Sequence, residues 1–342
     1  MTATPDVLVV GAGIVGAACA WELARTGARV EVVDQGIPGG GATAAGMGHL
    51  VVLDDDPLSS LSLELWRALA AELPKGAEYW NCGTLWIAAN AEELAAGRRK
   101  PGVEMLDEKQ LYEAEPELRP GLAGGALAKG DAVVYAPVVT QWLLGQAGVQ
   151  VRREAVRDVG ELRAGAVICA TGALTQKLLP ELPVQPRKGH LAITDRYAGK
   201  VRHQLVELGY MQSAHGQANE SVAFNVQPRP TGQLLIGSSR QYAVETAGID
   251  AHMLERMLQR AFGFLPFLRE CSVIRTWTGF RASTPDKLPL IGRLRDNLYM
   301  ATGHEGLGVT TSLGTAKLLA AEILGRPAPI PAEPYRPERF HA

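Results

Sequence analysis

The residues best placed to do chemistry open the chain. Gly11-Ala12-Gly13-Ile14-Val15-Gly16 spaces its glycines as G-x-G-x-x-G, and Asp34 follows 18 residues after Gly16. In such a loop the first glycine allows a tight turn, the second lets backbone approach a pyrophosphate, and the third lets a helix pack on a strand. The helix N-terminus adds N–H groups and a dipole that favours phosphate. Asp34, with Gln35 beside it, stands where a carboxylate reaches ribose hydroxyls. The spacing fits either a nicotinamide or a flavin dinucleotide.

Other reactive side chains are scattered. Thr302-Gly303-His304-Glu305-Gly306-Leu307-Gly308 is a glycine-rich turn ahead of a helix expected from about Val309 to Leu324 and stopped by Gly325. Its N–H groups suit a negative charge, although Gly and Thr at a helix start also serve as plain caps. His49 follows the Gly46-Met47-Gly48 turn, and a lone histidine is more often structural than reactive. The run Asp54-Asp55-Asp56 reads as a solvated helix start with no metal role. Cys19, Cys82, Cys169 and Cys271 stand far apart with no C-x-x-C pair. Neither a zinc site nor a disulfide framework is indicated, and a reduced compartment fits.

The elements that must position these groups follow from patterning. Asp6 to Val10 is an apolar run of strand length, Ala17 to Arg25 is helix-like and stopped by Gly27, and Arg29 to Asp34 is a second strand. Leu58, Leu61, Leu65, Leu69 and Leu73 recur at helical spacing up to Pro74. Gly83 to Ala88 reads as a strand, Pro137 to Ala147 as a helix, and Val149 to Val159 alternates as a strand would. Ala166 to Gly172 is a buried strand running into a turn, and residues 184–245 and 271–281 supply further strands. The tail from Arg326 carries five prolines and reads as an irregular strap.

Composition bounds the rest. The 342 residues suffice for roughly two domains. A 46% hydrophobic, 20% charged make-up is that of an ordinary globular protein. With 34 Lys and Arg against 36 Asp and Glu, the chain lacks the basic surface of a nucleic-acid binder. MTATPD has no basic signal-peptide region, and the 15 uncharged residues between Asp6 and Glu22 are too few for a spanning helix. A cytoplasmic location is expected, with peripheral contact to the inner membrane left open.

Together these segments resemble the FAD-dependent D-amino-acid oxidase family, in its glycine oxidase, sarcosine oxidase and D-hydroxyproline dehydrogenase branch. The resemblance runs over nearly the whole chain. Its first motif is the Gly11 fingerprint. Gly41-Ala42-Thr43-Ala44-Ala45-Gly46-Met47 is similar to the family's second flavin segment, along the pyrophosphate and isoalloxazine. Ile168-Cys169-Ala170-Thr171-Gly172 is similar to its A-T-G segment, with Val156 where the family touches adenine through backbone. The turn at Gly303 would bring His304, Gly306, Leu307, Gly308 and Val309 to the flavin's anionic edge. The resemblance implies FAD as cofactor and an α/β fold. A Rossmann-like FAD-binding domain (1–80, 138–182 and 284–342) would interleave with a mixed-sheet substrate domain (81–137 and 183–283).

The stretch Trp277-Thr278-Gly279-Phe280-Arg281 through Thr284-Pro285-Asp286 to Ile291-Gly292 is similar to the glycine-oxidase-like W-x-G-x-R pattern, whose arginine binds the substrate carboxylate. Arg281 suits that task because a guanidinium is a permanently charged, planar fork. Gly279 matches the cysteine that attaches flavin in sarcosine oxidase, so FAD is expected to be non-covalent. Leu235 stands where that branch carries a lysine implicated in oxygen reaction. Its loss favours a dehydrogenase, though glycine oxidases lack the lysine too. Met47 would line the pocket, His49 orient a substrate amine or ring hydroxyl, Tyr210 offer a hydroxyl, and His304 and Glu305 border the substrate.

Residues 44–52 and 227–233 most resemble the D-hydroxyproline dehydrogenases. The expected reaction is therefore oxidation of cis-4-hydroxy-D-proline or D-proline to a pyrroline carboxylate, by hydride transfer to flavin N5. Glycine, sarcosine and acyclic D-amino acids are the alternative substrates. A flavin subunit of a larger electron-transfer complex and a nicotinamide reductase are the other readings. The electron acceptor would be a quinone, an electron carrier or oxygen, and homo- or hetero-oligomers are both compatible with the chain.

Overall fold

The N-terminal apolar run forms strand β1 (Val7–Val10), buried on both faces. Val7 and Val9 enter one apolar cluster, Leu8 and Val10 another. The structure, a computed structural model, describes residues 4–52, 56–98, 100, 102–149, 151–209 and 219–340. Numbering strands along the chain, β2 (Val30–Asp34), β8 (Val151–Arg153), β9 (Ala166–Cys169), β15 (Leu290–Arg295) and β16 (Leu298–Thr302) join β1. They form a six-stranded sheet of order β15-β16-β9-β1-β2-β8, parallel except at β15. A parallel sheet needs cover on both faces. Helices Ile14–Ala24, Pro57–Leu69, Ala136–Gln146 and Gly308–Ile323 supply one of them.

Three element boundaries differ from expectation for physical reasons. The first helix starts at Ile14, three residues early, because Gly13 already serves as its N-cap. The helix opening at Pro57 ends at Leu69 and tightens into a 3-10 turn, Ala70–Glu72. The strand expected over 149–159 shrinks to β8, an edge strand paired only with Val32, Val33 and Asp34. Beyond it Asp158 caps the 3-10 turn Val159–Glu161. Of the acid run, Asp56 caps the Pro57 helix by accepting from Leu58 and Ser59 N–H; Asp54 and Asp55 lie outside the described residues.

A second sheet has eight strands: β4 (Thr84–Ala88), β5 (Glu104–Leu106), β6 (Gly124–Ala128), β10 (Gln185–Arg196), β11 (Gln204–Glu207), β12 (Glu220–Pro228), β13 (Gln233–Gln241) and β14 (Val273–Ser283). Their order is β14-β10-β13-β12-β11-β4-β6-β5, antiparallel except between β11 and β4. Period-two patterning divides its faces. Leu205, Phe224, Val226, Leu234 and Ile236 pack under helix Ala251–Phe264. Phe224 is fully buried and stacks on Phe264 with ring centroids 4.4 Å apart, a burial that contributes on the order of 2–3 kcal/mol. The intervening residues Gln204, Asn225 and Gln227 are also buried, yet polar. A short pair, β3 (His49–Leu50) with β7 (Ala132–Val133), completes the strands used below. Among the described residues no helix is long and apolar enough to cross a membrane.

Candidate active site

A cavity of about 800 Å3 runs from the carboxyl ends of β1, β2 and β9 to the polar face of the eight-stranded sheet. Ligands of parallel α/β sheets bind at such strand ends. The wall includes every expected cofactor and substrate residue that the structure describes, except Gly16 and Leu307. Gly16 is a packing glycine: a Cβ there would stand 1.9 Å from the Gly11 carbonyl oxygen. Leu307 turns its carbonyl into the following helix, accepting from Thr311 N–H. Tyr210 lies outside the described residues.

The residues of the first loop meet the needs of a dinucleotide. Gly11 has φ +108°, and a Cβ on it would strike the Ala170 carbonyl oxygen at 2.4 Å. A Cβ on Gly13 would meet only Thr43 Oγ1, at 3.3 Å, so its free side is the cavity. Thr43 Oγ1 accepts from Ile14 N–H at 3.0 Å, which ties residues 41–47 to the helix N-terminus. That helix has no side-chain cap and no acid in its first turn, so an anion there meets no competing charge. Asp34 Oδ2 accepts from Ala12 N–H and Oδ1 from Gly36 N–H, each at 2.7 Å. The carboxylate is thereby fixed, with acceptor capacity left for hydroxyls. Side chains at Gly41 and Gly172 would meet nothing within 4 Å, which leaves room for a large planar group.

At the opposite end Arg281 of β14 lies across Gly189 of β10. A Cβ on Gly189 would stand 2.3 Å from Arg281 Nη1, and that nitrogen donates to the Ser239 carbonyl at 3.1 Å. Arg187 faces Arg281 in register across the strands. Like charges so placed repel, and Glu305 answers them by accepting from Arg187 Nη1 at 2.5 Å and from Ser283 Oγ at 2.9 Å. Glu305 is thus a counter-ion within the wall, and its carboxylate oxygen Oε1 is already engaged. His304 is buried, with Nε2 at 2.9 Å from Thr315 Oγ1, and burial pushes its pKa down to about 4. It is neutral at pH 7.

His49 sits beneath the polar face. Gln204 Nε2 donates to the Ala132 carbonyl at 2.9 Å, which turns Oε1 toward His49 Nδ1. Nδ1 therefore carries the proton, and Nε2 accepts from Asn225 Nδ2 at 3.2 Å. Burial first, and the nearby Arg281 charge second, lower the His49 pKa against the opposing pull of Gln204. Gln227 Nε2 donates to the Met47 carbonyl at 2.8 Å. The Met47 side chain packs with Leu191, Ile193 and Leu235, which places Leu235 in an apolar cluster. Gln204 and Asn225 had no sequence signal beyond being polar at inward strand positions, and Ser238 lines the cavity although it shares the parity of Leu234 and Ile236 on the other face.

Gly279 bears on attachment of a cofactor. A Cβ there would be 2.4 Å from Ala45 Cβ, so a cysteine does not fit. Cys19, Cys82 and Cys169 are buried and Cys271 is half-buried, and none of the four reaches the cavity wall.

Residues 6–322 match the DAO family, described as FAD dependent oxidoreductase. The bifunctional protein ThiO/ThiG of Nostoc is 28% identical over 360 residues, covering 94% of this chain and 53% of that protein. The chain thus spans about half the length of such relatives. A D-amino acid dehydrogenase of Methylobacterium nodulans is 30% identical over 325 residues, covering 83% of this chain and 73% of its own. The crystal structure of glycine oxidase from Geobacillus kaustophilus superposes with a TM-score of 0.84 at 25% identity, covering 97% of this chain and 98% of that one.

Proposed function

The chain belongs to the DAO family of FAD dependent oxidoreductases, and on that premise we propose that it uses FAD, its cofactor, to oxidise a small amino or imino acid at Cα. The substrate we assign is a cyclic D-imino acid, cis-4-hydroxy-D-proline or D-proline. The observation that carries the reading is Arg281 on the wall of the same cavity as the glycine-lined loop, since a cation there fixes a carboxylate. Bound FAD supplies the two-electron acceptor for the Cα hydride. The C–H bond breaks, the C=N bond forms, and the N–H proton leaves to solvent.

In this reading the Gly11–Val15 backbone holds the diphosphate, Asp34 the ribose, and Val156, Ala170 and Thr171 border the adenine side. The Gly303–Gly308 turn offers N–H groups to the flavin ring. Residues 1–80, 138–182 and 284–342 form the cofactor-binding part and the remainder roofs it. Both ring nitrogens of His49 are engaged, so it positions neighbours and does not act as the base. The protein contributes mainly orientation and charge.

The test is the visible spectrum of the purified protein, followed without oxygen after adding cis-4-hydroxy-D-proline. Bleached flavin bands support the assignment. Bands that stay oxidised overturn the substrate and direct attention to glycine, sarcosine and acyclic D-amino acids. That second reading is favoured by the names of the relatives, a glycine oxidase and a D-amino acid dehydrogenase.

A further inference from the structure

Glu305 stands on the cavity wall in a backbone conformation that an L residue rarely takes, with φ +50°. A glycine would hold the turn there without strain, so what this position adds is the carboxylate. The backbone is pinned beside Arg281. Glu305 N–H donates to the Ala282 carbonyl at 2.9 Å, and a Cβ on Gly306 would stand 3.8 Å from Arg281 Nε.

The two carboxylate oxygens differ. Oε1 takes both donors, Arg187 Nη1 at 2.5 Å and Ser283 Oγ at 2.9 Å. Arg187 is itself held over the Tyr242 ring, its guanidinium carbon 4.6 Å from the ring centre. Two fixed donors on one oxygen set the rotation of the carboxylate. Oε2 has no hydrogen-bond partner among the described residues, and it is not one of the atoms closed off from solvent; the Glu305 side chain is 12% exposed. A guanidinium and an open carboxylate oxygen therefore come from neighbouring backbone into the wall of one cavity.

We infer that Glu305 Oε2 accepts the substrate N–H while Arg281 holds the substrate carboxylate, which makes Glu305 a catalytic residue that orients the amine and stabilises the positive charge it acquires. A carboxylate can only accept. It takes an N–H and leaves the nitrogen lone pair free to become the C=N bond. As the Cα hydride leaves for FAD, that lone pair closes the double bond and the nitrogen turns cationic. A hydrogen bond to a carboxylate is stronger from this iminium than from the neutral amine. The interaction therefore grows as the reaction proceeds and lowers the barrier. The N–H proton then leaves to solvent. The inference rests on the amino-acid reading above and deepens it, and it holds for cyclic and acyclic substrates alike.

The experiment uses the holoenzyme, with flavin content measured, and whichever of cis-4-hydroxy-D-proline, D-proline, sarcosine and glycine bleaches the wild-type flavin. Glu305→Gln keeps the shape and loses the charge. It should lower kcat about 10–100-fold and raise KM by a smaller factor. A second readout needs no turnover: methoxyacetate and butanoate are titrated against the flavin absorbance. The two differ only in an ether oxygen at the place of the amine nitrogen. That oxygen faces Oε2 in the wild type, which should bind butanoate more tightly. In Glu305→Gln, Arg187 and Ser283 keep the amide oxygen in the Oε1 place, so the NH2 group points where Oε2 did. The affinity ratio should then move at least about fivefold toward methoxyacetate, whereas a merely structural role would change both ligands alike. An unchanged ratio, or a kcat within threefold of the wild type, overturns the inference. If the variant holds no flavin the wild type decides, and methoxyacetate binding as tightly as butanoate overturns it. A wild-type flavin that none of the four substrates bleaches overturns the amino-acid reading and this inference together; bleaching without the Glu305→Gln effects overturns the inference alone.

Discussion

Replacing His304 by Gln isolates one buried proton site. His304 is packed against helix Gly308–Ile323, and burial lowers its pKa from 6.5 to about 4. In the unfolded chain a histidine titrates near its ordinary value. Between pH 6.5 and 4 the unfolded chain therefore holds a proton that the native one does not, and stability falls as pH falls through that window. A gap of 6.5 minus about 4 corresponds to about 3 kcal/mol, of which about 2.5 kcal/mol is lost by pH 4.5. At about 2.1 cal/mol/K per residue, 342 residues give an unfolding entropy near 0.7 kcal/mol/K. The loss amounts to about 4 °C in Tm. The assay is thermal unfolding of the holoprotein at pH 7.5 and 4.5 with FAD held in fixed excess. His49 and His190, also lowered by burial, titrate in both proteins and cancel. The wild type should lose about 4 °C more than His304→Gln on acidification. Equal losses would refute the claim that His304 is buried neutral.

Four further outcomes follow from the same geometry. Arg281→Met should lower kcat/KM by roughly 10^2–10^3 with flavin content unchanged, and Arg281→Lys should recover only part, because an ammonium lacks the planar fork. In Gly279→Ala the added methyl would stand 2.4 Å from Ala45 Cβ, so displacement of residues 41–47 should reduce the flavin-to-protein absorbance ratio. Asp34→Ala removes the acceptor for Ala12 and Gly36 N–H, and FAD titration of the apoprotein should show affinity at least about tenfold weaker. Arg187→Met leaves Glu305 without the guanidinium it accepts from, and the denaturant midpoint should fall by an amount equivalent to about 3–5 kcal/mol.

What the sequence revealed tracks how local each interaction is. The Gly11 loop was legible because its requirements lie within one turn of backbone: Gly11 must take a positive φ and Gly16 must clear the Gly11 carbonyl. Helix Gly308–Ile323 was legible for the same reason, with Gly325 beyond it at φ +63°. The short β8 was not, since alternation in residues 149–159 carries no information on how long a partner strand runs beside it. Leu307 came to the cofactor set through the same resemblance as Gly306 and Gly308, and it lies off the cavity wall because a helix start turns successive residues in different directions. The pairing of Glu305 with Arg187 spans 118 residues and that of His49 with Asn225 spans 176. No pattern within a single element encodes either one.

The two ends of the cavity rest on different physics, and this bears on how the protein can change. The end proposed for the nucleotide is made of backbone: glycines that must stay glycines and a helix terminus whose dipole is independent of its side chains. The end proposed for the substrate is made of side chains on the inward face of an antiparallel sheet, whose other face is held by Phe224, Leu234 and Ile236 under a helix. In that alternation an inward residue can be exchanged without disturbing the apolar layer behind it. Burying Gln204, Asn225 and Gln227 there is tolerable only because each amide finds a partner in the loop or strand below, His49, Met47 and Ala132 among them. This relay of hydrogen bonds is thus the support of the sheet's polar face. A substitution at an inward strand residue leaves the glycine loop intact, whereas a side chain at Gly11 or Gly16 would strike the backbone at Ala170 or Gly11 and force the loop apart.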